Sequence, residues 1–255
     1  MILFASDFDN TIYFWDRTPR ISEEDKAAVS RLRKAGGLFG VCTGRSLVGI
    51  LKPIEGIIDF DFYILASGAF ILDGSLNAIS RTCVDRDIVI EVYERFANKE
   101  SSIIHANDTV YSFNGFYELQ TRISSFDEIE GDSFYGVSIA PDDPADVKVI
   151  CDTVNREYGE YLSAYPNRHI VDIVSCDCSK GKAIKTVKDY FGAELTAGIG
   201  DSFNDIPMFD YSDVSFTFAS SHEDVRKRAG HTVDSVSEAI DILMEGDAQL
   251  DRKEL

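Results

Sequence analysis

The sequence is short of positive charge. Its 25 lysines and arginines stand against 44 aspartates and glutamates, a formal net charge of −19 at pH 7. A chain that acidic has no general attraction for nucleic acid or anionic membrane, so neither is an expected partner. An anionic substrate would need a local arrangement of Lys, Arg, backbone N–H or metal to overcome the global field. Long apolar runs are also missing. None approaches the roughly 20 residues that span a bilayer, and the N-terminal run is cut by Asp7 and lacks the basic flank of a signal peptide. A cytoplasmic protein is expected. The five cysteines, Cys42, Cys83, Cys151, Cys176 and Cys178, form neither a disulfide framework nor two metal-ligand pairs. They read as reduced thiols. Internal repeats and low-complexity segments are absent.

What is present suffices for a proper core: 255 residues, 44% hydrophobic and 27% charged, enough for one large domain or two modest ones. The organising stretch is Met1 to Tyr13, MILFASDFDNTIY. Six nearly unbroken apolar residues read as a strand buried on both faces, and it stops on two carboxylates, Asp7 and Asp9. In open α/β sheets the carboxyl end of a strand is where ligands bind. Unpaired charge at the edge of a core is costly, and a cation is the natural compensation.

The same grammar continues along the chain. Ile21 to Ala35 is a helix capped by Ser22, Leu38 to Cys42 a strand ending in Thr43, Leu47 to Leu51 a helix, and Phe62 to Ala66 a strand ending in Ser67. Strand, helix, strand, helix, strand predicts a parallel sheet with right-handed crossovers, and it puts Asp7, Thr43 and Ser67 at one edge. Ile71 to Ile79, with Asp73-Gly74, reads as a hairpin. Residues 82–177 then read as two helices among several strands, an inserted α+β unit. Parallel grammar resumes with a helix at Lys180 to Phe191, a strand at Thr196 to Gly200 ending in Asp201 and Asp205, a last strand at Val214 to Phe218, and helices at His222 to Ala229 and Val236 to Met244. The residues from Gly246 to Leu255 read as a polar tail. The expected architecture is α/β: a Rossmann-like core of residues 1–81 and 178–255, with an α+β unit of 82–177.

Clustered carboxylates at strand ends suit a hard, oxygen-seeking cation such as Mg²⁺. Beside it, Lys180 and the Thr43 hydroxyl are what a phosphoryl group needs to be neutralised and held in line. Asp7 can then serve as a nucleophile that accepts the phosphoryl group. Asp9 can protonate the leaving oxygen and later deprotonate water. A phosphomutase, a phospho-acceptor switch and a phosphosugar-binding protein without turnover are the alternatives; the insert and the second aspartate weigh against a switch.

DFDNT at Asp7 to Thr11, CTGRS at Cys42 to Ser46, SKGKA at Ser179 to Ala183 and GDSFND at Gly200 to Asp205 resemble, in that order, the four motifs of the haloacid dehalogenase superfamily. The insert resembles, in its position, the cap of the Cof-type (C2-capped) phosphatases. The resemblance implies a Mg²⁺-dependent hydrolase of a small phosphate ester, a sugar phosphate being the expected one, acting as a monomer or homodimer. It implies that Asp7 is nucleophile and metal ligand, and that Asp9 is acid/base and offers its carbonyl to the metal. Asp201 completes the metal shell, and Asp205 acts through water or orients its neighbours. Thr43, Gly44, Arg45, Lys180 and Asn204 are the implied substrate contacts, and Thr11 braces the loop. Asn10 replaces a frequent Gly and tolerates left-handed backbone, while Ser67 and Ser220 stand at substrate-facing positions where relatives often carry Asn. In the insert, Tyr111, Tyr117, Arg122, Tyr135 and Arg168 are candidates for a specificity face. The four histidines, His105, His169, His222 and His231, read as structural or surface residues.

Overall fold

Alternation along the first strand sets the architecture. In β1 (Ile2–Ser6) Leu3 and Ala5 belong to one hydrophobic cluster and Phe4 to another, all three fully buried. Such a strand needs cover on both faces. The computed structural model, which describes residues 1–115 and 119–247, supplies it. The chain continues with α1 (Glu23–Lys34), β2 (Leu38–Cys42), α2 (Val48–Ile54), β3 (Phe62–Leu65), β4 (Phe70–Asp73) and β5 (Ala78–Arg81). A second run holds α3 (Arg86–Phe96), β6 (Ile103–Ala106), β7 (Thr109–Ser112), β8 (Thr121–Arg122), β9 (Phe134–Ile139), α4 (Val147–Glu157), β10 (Leu162–Asn167) and β11 (Ile170–Ser175). The chain returns through α5 (Lys180–Phe191), β12 (Leu195–Ile199), α6 (Ile206–Tyr211), β13 (Val214–Phe218), α7 (Glu223–Arg226), β14 (His231–Val233) and α8 (Val236–Asp247).

One sheet has the order β14-β13-β12-β1-β2-β3-β4-β5 and the other β10-β11-β9-β6-β7-β8. The first is parallel from β14 to β3 and antiparallel beyond. Phe4, Phe39 and Phe216 pack with α1 and α8 on one face, while Leu3, Ala5, Phe62 and Ile64 pack with α5 and α6 on the other. The second sheet buries Ile104, Val137 and Ile173 with Val89 and Tyr93 of α3 and Ile150 and Val154 of α4. Its helices therefore lie on one side, as in an α+β layer. Among the described residues, no helix is long and apolar enough to cross a membrane.

Three elements differ from the sequence reading. The strand expected to be last is followed by β14, a three-residue edge strand in which only Val233 is buried, so no apolar run marks it. The helix expected at His222 to Ala229 is confined to Glu223–Arg226. The helix expected to stop at Leu51 runs to Ile54 with Pro53 inside. Proline cannot donate to the carbonyl four residues back, and that carbonyl, Gly49 O, accepts instead from Arg45 Nη1 at 3.1 Å. Tyr117 and the tail beyond Asp247 lie outside the described residues.

Phe4 is fully buried between Phe39 and Phe216, with ring centroids 5.6 and 6.1 Å away. Phe4→Ala should cost about 3–5 kcal/mol, read as a lower urea midpoint at constant slope; a loss under ~1 kcal/mol would show that β1 does not anchor the core.

Candidate active site

The strand ends align because the register is parallel and unshifted. Ser6 pairs with Ile199 on one side and Val41 on the other, so the residues that follow emerge together. Asp7 N–H donates to Ile199 O, and Thr43 N–H to Ile64 O, each at 2.8 Å. The chain then turns at once: Asn10 is left-handed (φ 59°), its N–H donates to Tyr13 O, and Tyr13 N–H donates to Phe8 O. Phe8 and Tyr13 stack at 4.7 Å beneath this loop. The tight turn holds Asp9 at the rim, with its side chain a third exposed, while Asp7 stays buried.

Lys180 heads α5, whose N-cap Ser179 accepts from Lys182 N–H. A cation at the positive end of a helix opposes the macrodipole, and this one is also almost wholly buried. Two carboxylates resolve both costs: Nζ lies 2.6 Å from Asp7 Oδ1 and 2.6 Å from Asp205 Oδ1. Burial pushes the ammonium toward its neutral form, but Asp205 and Asp7 outweigh it and hold Lys180 well above the ordinary lysine range. Asp205 is fixed in turn, since its Oδ2 accepts the N–H groups of Asp201 and Ser202 at 3.0 Å. Gly200 must be glycine here, because a Cβ would lie 2.3 Å from the Asp205 carboxyl carbon.

Asp7, Asp201 and Asp205 each offer an oxygen within 4.8 Å of the others. Burial raises the pKa of all three carboxyls; Asp7 rises from the ordinary 3.8 to about 7, with Lys180 opposing the shift and Asp205 adding to it. Arg168, from the β10–β11 turn, donates from Nη2 to Asp201 Oδ2 at 2.6 Å. Three carboxylates against Lys180 and Arg168 leave one negative charge uncompensated. That excess, the all-oxygen donor set and the raised pKa values fit a hard divalent cation held by Asp7 and Asp201. Asp205, with both oxygens already accepting from protein donors, fits a contact through water.

The remaining candidates fall into two groups. Thr43 is buried at the strand end, its Oγ1 accepting from Arg45 N–H at 3.2 Å. Gly44 follows it, and Asn204 is buried with Oδ1 accepting from Ser202. Arg45 is turned onto Asp9, Nε to Oδ2 at 2.6 Å and Nη2 to Oδ1 at 2.8 Å, so its guanidinium serves a carboxylate here. Thr11 approaches Asp7 Oδ2 at 3.5 Å. Ser67 is buried but Ser220 is exposed. Of the described residues of the proposed specificity face, Arg168 reaches the carboxylates and Tyr111, Arg122 and Tyr135 do not. Tyr135 stacks on Phe70, Tyr111 packs on the second core, and Arg122 is exposed. Sequence reasoning missed Trp15, the only tryptophan, whose Nε1 donates to Asp9 Oδ1 at 2.8 Å. It also missed Asp172, a charge inside the apolar run IVDIV, and that interruption is the signal that could have found it.

Comparison with known proteins gives the family. A family model described as haloacid dehalogenase-like hydrolase matches residues 4–240. Two Bacillus subtilis proteins, each named a 5-amino-6-(5-phospho-D-ribitylamino)uracil phosphatase, are similar: one is 22% identical over 266 residues, covering 90% of this chain and 91% of its own. The other is 23% identical over 233 residues, covering 91% and 90%. A solved haloacid dehalogenase-like hydrolase from B. subtilis superposes with a TM-score of 0.79 at 20% identity, covering 96% of this chain and 99% of that one.

Because the raised Asp7 carboxyl stays protonated on folding up to about pH 7 while the unfolded chain ionises near 3.8, the cation-free protein should lose stability as pH rises through that window. The loss should be on the order of 2–4 kcal/mol. Thermal unfolding should show Mg²⁺ raising Tm by several degrees at pH 7.5 and hardly at pH 4.5, with Asp7→Asn flattening both responses; an equal shift at both pH values would contradict the charge excess. Lys180→Met, which strands two buried carboxylates, should cost about 3–5 kcal/mol at pH 7, measured by urea unfolding, and less at pH 5.

Proposed function

This chain belongs to the haloacid dehalogenase-like hydrolases, and from that premise we propose that it is a Mg²⁺-dependent phosphatase of a small phosphorylated metabolite, a sugar or polyol phosphate, working through an aspartyl-phosphate. One observation carries the reading: a buried ammonium shared by Asp7 and Asp205, beside Asp201, at the ends of adjacent parallel strands, with Asp9 two residues beyond. The names of the two B. subtilis relatives, which refer to a phosphorylated ribityl chain, support the polyol class. All five cysteines are unpaired, in keeping with action in the cytoplasm.

In this reading Asp7 Oδ2 attacks phosphorus while Oδ1 stays on Lys180 Nζ, so the nucleophile is oriented by the hydrogen bond that also neutralises its neighbour. The P–O bond to the leaving alcohol breaks as Asp9 delivers a proton to that oxygen. Asp9 then takes a proton from water, which attacks the aspartyl-phosphate and releases phosphate and Asp7. Arg45 and Trp15 hold the Asp9 carboxyl in place at the rim; it enters the first step protonated and leaves it as the base for the second. Thr43 and Lys180 hold the phosphoryl oxygens, and Lys180 also favours the ionised form of Asp7 against the burial that opposes it. When bound, Mg²⁺ supplies charge neutralisation that lets a carboxylate approach a phosphate dianion. We further propose that residues 82–177 act as a cap that excludes water and selects the leaving group.

Phosphate release from an aryl phosphate and a panel of sugar and polyol phosphates tests the reading. Release should need Mg²⁺, stop with chelator, and fall at least about 10³-fold in Asp7→Asn. Equal release by wild type and Asp7→Asn would exclude Asp7 as the nucleophile.

A further inference from the structure

The loop between the Asp7–Asp9 turn and α1 presents one large side chain at the rim of the site. Phe14 N–H donates to Arg20 O at 2.9 Å, which closes residues 14–20 into a compact turn. Trp15 stands on that turn with 48% of its surface exposed. Its ring meets Tyr13 edge-on at 5.0 Å, and Tyr13 stacks in turn on Phe8. An indole left half in water gains little from burial, so packing alone does not account for a tryptophan here. Its N–H, however, has a definite partner, Asp9 Oδ1 at 2.8 Å.

A carboxylate offers roughly four in-plane lone pairs, two on each oxygen, and those of Asp9 are unequally engaged. Arg45 takes one on each oxygen, Nε on Oδ2 at 2.6 Å and Nη2 on Oδ1 at 2.8 Å. Trp15 takes the second on Oδ1. Among the described residues that leaves one lone pair, on Oδ2. A proton is therefore carried on Oδ2 with all three donors in place, whereas a proton on Oδ1 would displace one of them. The two holders also differ in kind. Arg45 is anchored independently of Asp9, its Nη1 donating to Gly49 O at 3.1 Å and its guanidinium lying 5.3 Å from the Phe8 ring centre. Its fork fixes where the carboxyl sits but treats the two oxygens alike. Trp15 distinguishes them, and as a neutral donor it adds no second positive charge beside a carboxyl that has to take up a proton.

On the phosphatase reading of this site, we propose that Trp15 is a positioning residue that makes Asp9 Oδ1 the fixed acceptor and Oδ2 the oxygen that exchanges the proton. In the first step Asp7 forms its bond to phosphorus, the P–O bond to the leaving alcohol breaks, its electron pair stays on the alcohol oxygen, and the proton passes from Asp9 Oδ2 to that oxygen. In the second, Oδ2 takes a proton from the water whose oxygen attacks phosphorus. Without the indole N–H each oxygen keeps a free lone pair, the proton divides between them, and the oxygen facing the leaving group is protonated only part of the time. The loss weighs on each leaving group according to its need for a proton. An alkoxide needs one to depart, and a nitrophenolate does not.

The test compares para-nitrophenyl phosphate with the sugar or polyol phosphate that wild type hydrolyses best, in wild type and in Trp15→Phe, which keeps a ring beside Tyr13 and removes the donor. Because kcat/KM covers the steps up to departure of the alcohol, it should fall about tenfold or more for the sugar or polyol ester and less than about twofold for the nitrophenyl ester, which also reports that the variant is folded. Hydrolysis of the aspartyl-phosphate is common to both esters and also uses Oδ2, so kcat should fall for both, and for the nitrophenyl ester KM should fall in step with it. A purely structural role would lower kcat/KM for the two esters by the same factor. That result, or no change in either, would overturn the positioning role and leave the phosphatase reading standing. Failure of the wild type to hydrolyse any ester would overturn the phosphatase reading and the positioning role with it.

Discussion

The interaction on which the structure turns is that of the buried Lys180 ammonium with the carboxylates of Asp7 and Asp205. Breaking a buried pair is strongly destabilising because it leaves a charge without water or partner. The triad therefore ties together three elements: the end of β1, the start of α5 and the turn after β12. That turn is fixed because the second oxygen of Asp205 is spent on the N–H groups of Asp201 and Ser202. One contact thus sets the position of the nucleophile candidate and, through Asp205, of Asp201. Excess negative charge remains, and it makes the same cluster a candidate cation site. Stability and chemistry compete here: the carboxylates that cost the cation-free fold stability are those that a divalent ion needs.

A second layer of charge surrounds the first. Asp9 is gripped by Arg45 and Trp15, and Asp201 by Arg168 from the second sheet. Each rim arginine serves a carboxylate in the substrate-free molecule, and each is an anion-binding group once released. Arg45 does further duty by accepting the role that Pro53 denies the helix, donating to Gly49 O. In a chain of net charge −19, Lys180, Arg45 and Arg168 thus offset most but not all of the charge of the four aspartates at this edge, and a bound cation would complete the balance.

Much of this arrangement is legible in the sequence, for a physical reason. Parallel strands are buried on both faces, so a short apolar run that stops on polar residues marks both the strand and the edge where it ends. Asp7, Thr43 and Asp201 are all found that way, and Lys180 is found as the first residue of a capped helix. The hairpin and the change of grammar after Arg81 are likewise readable from turn residues and strand length. What the sequence hides are contacts created by approach of distant elements. Arg168 meets Asp201, and Asp172 meets Gly44, only because the second sheet lies over the first. β14 is hidden for another reason, since an edge strand of three residues with one buried side chain carries no pattern. The left-handed pair Ala66 and Ser67 carries none either, because the strain there is imposed by the fold and not by residue preference.

The central claim is that Asp7 accepts the phosphoryl group, and rapid acid quench during turnover of an aryl phosphate with Mg²⁺, followed by peptide mass spectrometry, tests it most directly. The account requires a phosphoryl increment on the peptide that contains Asp7, assigned to that residue by fragmentation and lost when the quenched peptide is treated with hydroxylamine. Turnover with no such increment, or with the label on another residue, would contradict it.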